Sequence, residues 1–381
     1  MTGESKAMDN RPPVLVLAGE GGDVRLMGMT LAQRLAAQFA AAGVASAEEA
    51  EGPAIVVRAD ALIAQPLVVA LAARPGLALV GEDGALLAIH APAGEAARAR
   101  AALLEGDAAG FDARRPEEMG ADYWSALRKR ETPHALRFRE GQRADLEWRL
   151  FHSTYKGVTD LVTKYLWPRP AFYVTRWLAE TFVTPNMVTT LSFLFVLLAF
   201  WLFLQGSYGW GLVAAWLMTF LDTVDGKLAR VTLTSSTWGN YFDHGIDLIH
   251  PPFWYLAWGM GLERAGFAMD DGLWRAAIFA IFAGYVLQRV MEGLAIKGLG
   301  LEIHIWRRVD SFFRLITARR NPNLIILTLS ALLGRPDIGF LAVAGWTAIC
   351  LVLHGVQIVQ AFAAKRRLGR LTSWMAGGEG A

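Results

Sequence analysis

Asp222-Thr-Val-Asp225-Gly226-Lys-Leu-Ala229-Arg230, and after eight further residues Gly239-Asn-Tyr-Phe-Asp243-His-Gly-Ile-Asp247, is the stretch that organises this chain. Four carboxylates stand there between long apolar runs. On a helix advancing about 100° per residue, Asp222, Asp225, Gly226 and Ala229 fall in one arc. Gly239, Asp243 and Asp247 recur at i, i+4 and i+8, again on one face. Two helices can therefore aim two acidic pairs at each other. Carboxylates that close repel one another and take up protons unless cations lie between them. A ligand set made only of oxygens suits Mg2+, Mn2+ or Ca2+. Paired divalent ions are a common device for displacement at phosphorus. A proton or ion path through a membrane would also use aspartates, but it explains neither Gly226, Ala229 and Gly239 nor Arg230.

The chain has 381 residues, enough for two domains, and 54% are hydrophobic against 19% charged. The apolar excess lies in the second half. A net charge of +2 does not imply a nucleic-acid partner, and the basic residues cluster beside apolar runs, as membrane orientation requires. The single cysteine, Cys350, sits in an apolar run and reads as a small buried hydrophobe. The first residues, MTGESKAMDNRPP, are polar and carry no apolar core of a signal peptide.

Residues 1–92 read as a small soluble α/β domain. Val14–Ala18 is a strand running into Gly19-Glu-Gly21-Gly22; Leu31–Ala42 has helical spacing and ends at Gly43. Ala54–Val57 is a strand ending near Asp60, and Leu77–Val80 and Ala85–Ile89 flank a turn at Glu82-Asp83-Gly84. This order resembles in part a sugar-phosphate nucleotidyltransferase, whose glycine-rich loop after the first strand cradles a nucleotide. The resemblance implies a basic pair after the loop and a metal-binding Asp. Arg25 fills one basic place, no lysine follows before Arg34, and Asp60 takes the place of the Asp. A degenerate, non-catalytic domain is expected. Residues 93–150 read as a charged helical linker.

Residues 151–370 read as a membrane domain. Its first part, Phe151–Thr184, is amphipathic: Lys156, Lys164, Arg169 and Arg176 alternate with Tyr165, Trp167, Phe172, Tyr173 and Trp177. Such a segment can lie in the headgroup plane. Six spans follow, near Met187–Leu204, Trp210–Leu221, Gly239–Gly261, Leu273–Ile296, Leu324–Leu333 and Ile338–Ala364. Pro251-Pro252 should kink the third. The loop from Lys297 to Asn321 carries Arg307, Arg308, Arg314, Arg319 and Arg320, and the segment after the last span carries Lys365, Arg366, Arg367 and Arg370. That bias puts both termini, the aspartate motif and the soluble domain in the cytoplasm. Residues 371–381 read as a flexible tail. The expected class is thus mainly α: a six-helix transmembrane bundle with an amphipathic juxtamembrane helix, preceded by a small soluble α/β domain.

The motif, at every fixed position, resembles the signature of the class I CDP-alcohol phosphatidyltransferase family. The resemblance covers about Tyr155 to Leu368 and includes a six-span fold. It implies a CDP-alcohol donor, usually CDP-diacylglycerol, whose phosphorus distal to the cytidine is attacked by an acceptor hydroxyl while CMP leaves. It also implies Asp222, Asp225 and Asp243 as metal ligands and Asp247 as general base, itself also able to touch metal. The cofactors would be two divalent cations, Mg2+ or Mn2+. By residue type, Arg230 offers a charge-assisted contact to phosphate. Gly226 and Gly239 let a base or phosphate approach the backbone, and Ala229 keeps that face shallow. Asn186, at the start of the first span, can reach donor phosphate from a helix N-terminus. Arg289 and Glu292, at i and i+3, can pair with each other. His244 and His250 are alternative metal or base residues, though the oxygen set needs neither. Arg319-Arg320, just before Asn321-Pro322, should stand at the mouth of the site and favour a phosphorylated polyol acceptor such as glycerol phosphate or inositol phosphate. Partners are then the CDP-alcohol, the acceptor and the bilayer; a homodimer is left open. Two rival classes are a bifunctional enzyme that also consumes CTP, and an inert membrane interaction protein.

Overall fold

The computed structural model describes residues 11–19, 21–108 and 110–377; the N-terminal segment read for a signal peptide lies largely outside them. The chain forms two compact units, one of Met1–Tyr155 with Ala179–Thr181 and Arg230–Leu233, the other of Lys156–Leu178, Phe182–Ala229 and Thr234–Ala381.

The first unit is α/β. Its elements are β1 (Val14–Leu17), β2 (Arg25–Leu26), β3 (Met29–Thr30), α1 (Leu31–Ala41), β4 (Ala54–Arg58), β5 (Ala61–Ile63), α2 (Gln65–Ala72), β6 (Leu77–Val80), β7 (Leu86–Ala91), α3 (Ala96–Glu105), β8 (Asp112–Arg114), β9 (Tyr123–Trp124), β10 (Lys129–Arg130), β11 (Ala135–Arg137) and α4 (Arg143–Ser153). Five strands form one mixed sheet in the order β1-β4-β7-β6-β8. Because successive strand residues face opposite ways, Ile55 and Val57 join one core with Leu35, Phe39 and Leu67 of α1 and α2, while Val56 joins a second with Ala99 and Leu103 of α3. The sheet is therefore covered on both faces, which is why β4 and β7 read as continuous apolar runs. Thr30 starts α1 with a reciprocal capping box to Gln33.

Residues 93–150 are helical at α3 and α4, as a helical linker would be, but differ from that expectation in the strands between them. β8 pairs with β6 in parallel, β11 pairs with β5, and β9 with β10. Their mixed charges belong to short strands whose partners lie far away in sequence, so no local periodicity marks them. Residues 371–377 differ too: Leu371 and Met375 are buried, and Trp374 donates to Ser311 Oγ at 3.0 Å. The last residues, 378–381, are outside the described part.

The second unit is helical: α5 (Pro168–Ala179), α6 (Pro185–Leu204), α7 (Tyr208–Val231), α8 (Thr237–Gly261), α9 (Asp271–Leu299), α10 (Arg308–Phe313), α11 (Arg320–Leu332) and α12 (Pro336–Leu368). Three of them, α6, α9 and α12, are long and apolar enough to cross a membrane by length and composition. Six such helices were expected. α7 and α8 have 24 and 25 residues but carry the acidic motif, and α11 has only 13. At 1.5 Å per residue α11 reaches about 20 Å, short of a hydrocarbon layer of about 30 Å. α6 packs on α8, and α12 on both α9 and α11. The core between them holds Phe203, Met218, Trp254, Trp258, Leu324 and Phe340. Gly261 lets α8 meet the end of α6: a Cβ there would stand 2.0 Å from the Phe203 carbonyl oxygen.

Candidate active site

α7 and α8 are joined by a short turn, and Ser236 caps α8 by accepting from Gly239 N at 3.0 Å. That turn brings the two halves of the motif together. One carboxylate oxygen from each of Asp222, Asp243 and Asp247 lies within 4.8 Å of the other two, close enough to hold a metal ion. Asp225, one turn after Asp222, stands outside that triplet and is buried. Its Oδ2 accepts from Thr189 Oγ1 of α6 at 2.6 Å, and its Oδ1 is buried with no hydrogen-bond partner among the described residues. A buried carboxylate oxygen without a donor is costly, and a hard cation is the partner it fits best. The donor set thus suits divalent metal.

Asn186 and Gly239 also come together. A Cβ on Gly239 would stand 2.8 Å from Asn186 Oδ1, so only a glycine leaves the amide its place. Asn186 is in the first turn of α6, which Thr184 caps at 3.3 Å. Gly226 lies on α7 next to Asp225, and Ala229 and Arg230 are in its last turns. His244 is exposed and bonds back to Asn240 O at 2.8 Å. His250 is buried and bonds to Ile246 O at 2.7 Å. Neither adds a ligand atom to the carboxylate triplet, although His244 Nδ1 lies 3.7 Å from Asp243 Oδ2.

Arg320 is not at the mouth of the site. Its Nη2 lies 2.5 Å from Asp222 Oδ2, and its Nη1 pairs with Asp247 Oδ1. One guanidinium therefore bridges the first and last aspartates of the motif, an arrangement the planar fork of arginine permits. Arg319 turns the other way and pairs with Glu292 of α9, which also holds Arg289 at 2.9 Å and His304 at 3.2 Å. The expected Arg289–Glu292 pair is thus present within a larger group. Burial holds His304 well below its ordinary value despite Glu292 beside it, so it is neutral. Burial likewise pushes Arg314 down to about 9, with Arg319 adding to the effect and Asp160 opposing it. Arg314 is still a cation at neutral pH, and its Nε and Nη1 are buried without hydrogen-bond partners among the described residues. Glu292, His304 and His354 also offer ligand atoms within 4.8 Å of one another. The Glu292 charge is already taken by two guanidinium groups there.

Residues 182–313, from just before α6 to the end of α10, match the family model described as CDP-alcohol phosphatidyltransferase. This segment belongs to that family. Arg319, Arg320 and, of the first unit, Met1–Tyr155 and Ala179–Thr181 lie outside the matched residues. The chain is 31% identical over 167 residues to the bifunctional IPC transferase and DIPP synthase of Rubrobacter xylanophilus, a match covering 43% of this chain and 35% of that protein. It is 30% identical over 126 residues to the phosphatidylinositol phosphate synthase of Streptomyces avermitilis, covering 33% and 49%. It is 28% identical over 205 residues to the archaetidylinositol phosphate synthase of Pyrococcus horikoshii, covering 52% and 93%. The chain thus spans half or less of the first two relatives and most of the third.

Sequence reading missed two side chains that touch the motif. Thr189 carries only the signal of a hydroxyl one turn into an apolar helix. Tyr285, whose hydroxyl lies 2.8 Å from Leu248 O, is an aromatic in an apolar run and is indistinguishable there from a lipid-facing ring.

Proposed function

We propose that the chain transfers a substituted phosphate group from a CDP-alcohol, such as CDP-diacylglycerol, to the hydroxyl of a phosphorylated polyol, releasing CMP. The observation that carries this reading is the convergence of Asp222, Asp243 and Asp247 within 4.8 Å inside a family-matched segment. Asp222, Asp225 and Asp243 would hold two divalent cations, Mg2+ or Mn2+, with Asp247 at their edge. Cations there would neutralise the diphosphate and polarise its phosphorus. Asn186, Gly226, Ala229, Arg230 and Gly239 would receive the nucleotide and its phosphates. The Asp247 carboxylate takes the proton of the acceptor hydroxyl. The acceptor oxygen then forms a bond to the distal phosphorus as the bond from that phosphorus to the CMP oxygen breaks, and the electron pair leaves on CMP.

Arg289, Arg314 and Arg319 support a phosphorylated acceptor. These three cations face one carboxylate, Glu292, with Asp160 near Arg314. A phosphate would offset that excess with charge-assisted bonds. Two relatives are named for inositol phosphate lipids, which favours inositol phosphate within this class.

The chain is read as an integral membrane protein of six spans, adding α7, α8 and α11 to the three long apolar helices, with the site and both termini on the cytoplasmic side. The interfacial segment fits that reading: Tyr165, Tyr173, Trp177 and Phe182 are exposed beside Lys164, Arg169 and Arg176. The first unit is read as a degenerate nucleotidyltransferase-like domain. Asp60, the residue in the place of a metal ligand, is held by Arg58 at 3.0 Å and Arg137 at 2.7 Å, so guanidinium groups occupy its oxygens.

The test is CMP release from CDP-diacylglycerol by the purified chain with Mg2+, offered inositol phosphate, glycerol phosphate and free inositol. Release that needs a phosphorylated acceptor and stops with a chelator is expected. Release with free inositol at equal efficiency would overturn the acceptor reading, and none with any acceptor would overturn the transferase.

A further inference from the structure

Pro251 and Pro252 lie inside α8, one turn after Asp247, and the helix runs on through them. A proline has no N–H and cannot bond the carbonyl four residues back. The carbonyls of Asp247 and Leu248 therefore lose their donors within the helix. At membrane depth such a group must find another partner. Tyr285 of α9 supplies it. Its hydroxyl lies 2.8 Å from Leu248 O and 3.4 Å from Asp247 O. A phenol has one proton to donate, so the shorter contact is the bond and the longer one its weak second branch. The carbonyl before these, Ile246 O, accepts from His250 Nδ1 at 2.7 Å. Three successive carbonyls around Asp247 are thus each met by a side chain. The Tyr285 ring also lies under Arg289, whose guanidinium carbon is 5.4 Å from the ring centroid.

We propose that Tyr285 is a positioning residue: by bonding the carbonyls that the proline pair leaves open, it fixes the turn of α8 that carries Asp247 and ties it to the helix bearing Arg289. The inference rests on Asp247 acting as base. Helix α8 then has a flexible point just behind its reactive carboxylate, and the neighbouring helix decides where that carboxylate points. Loss of the phenol proton removes no aspartate but lets the turn that carries Asp247 shift, and small displacements of a reacting group are expensive in rate.

Tyr285→Phe removes the hydroxyl alone. In the full-length chain in detergent with Mg2+, it should lower kcat for CMP release about tenfold while KM for donor and acceptor stays within about twofold. Pro252→Ala returns an N–H that can close the helix bond to Leu248 O. In that background Tyr285→Phe should cost less than about twofold, a coupling that a general packing role of the ring does not produce. Thermal melting of all four proteins checks that each is folded. Wild-type kcat in Tyr285→Phe, or an equal loss in both backgrounds, overturns the inference. A wild-type chain that releases no CMP overturns the reading beneath it, and the inference with it.

Discussion

Arg320 changes what the aspartate motif can do, because it brings a fixed cation in among the acids. Bonded to Asp222 and to Oδ1 of Asp247, it neutralises part of their charge and orients the proposed base. A residue at the mouth would affect only acceptor binding. From its actual place, Arg320→Ala is expected to lower kcat about 100-fold as well as raise acceptor KM, with Arg320→Lys recovering little because one ammonium cannot span both carboxylates; steady-state kinetics with varied acceptor checks this. Asp247→Asn should abolish turnover yet leave nucleotide binding measurable by calorimetry, since the base is lost and the other acids remain. Near-normal CMP release by that variant would remove Asp247 from its role. Gly239→Leu should fold and lose donor affinity, because its side chain would take the place of the Asn186 amide, 2.8 Å from where a Cβ would stand. Unchanged donor affinity would mean that this glycine serves helix packing alone.

At the scale of elements, a close backbone approach and a buried carboxylate add to the apolar core in joining parts of the second unit. Gly261→Ala would drive a methyl to 2.0 Å from the Phe203 carbonyl oxygen, a backbone atom that cannot swing aside. The ends of α6 and α8 must then separate, at a cost of about 1–3 kcal/mol by the usual scale of overpacking, seen as a lower melting temperature. Asp160 ties the segment before α5 to α11. It accepts from Val162 N, Thr163 N, Thr163 Oγ1 and Asn321 Nδ2 at 2.8–3.1 Å. Burial alone would raise its pKa; Arg314 and these hydrogen bonds outweigh burial and hold it below the ordinary value. A lowered folded pKa means that the unfolded chain binds the proton more tightly. The contribution is therefore full above the unfolded value of about 3.9 and is lost as pH falls through the folded one. Asp160→Asn should melt well below wild type at pH 7, and the gap should narrow below about pH 4. A gap that does not change with pH would leave Asp160 without this role.

For the whole molecule, the proposed transfer consumes an activated donor, and the first unit would be the part to make one. Asp60 is 2% exposed and bonded by Arg58 and Arg137. Burial would raise its pKa, but those two arginines hold it below the ordinary value, so it is a carboxylate already satisfied by cations of the chain itself. The full-length protein given CTP and a sugar or polyol phosphate, without a CDP-alcohol, should release no pyrophosphate. Pyrophosphate release would make the chain bifunctional.

The oxygen-only motif, its helical phase, the apolar runs around it and the α/β order of the first unit are local patterns with a period, so the order of residues alone carries them. The facing of Asp222 with Asp243 and Asp247 was legible for that reason, whereas Asp225, read as part of the same cluster, stands outside the triplet. The strands β8 to β11 were not legible, because a short charged strand is defined by a partner distant in the chain. Nor was the place of Arg320: it stands one residue from Arg319, and which of the two enters the aspartates depends on how α11 is turned against α7 and α8. Thr189 and Tyr285 reach the motif only across helix interfaces. Tertiary packing alone decided which donors meet the Asp225 carboxylate and the Leu248 carbonyl, because a hydrogen bond between helices is fixed by distances of a few tenths of an ångström that no spacing along the chain encodes.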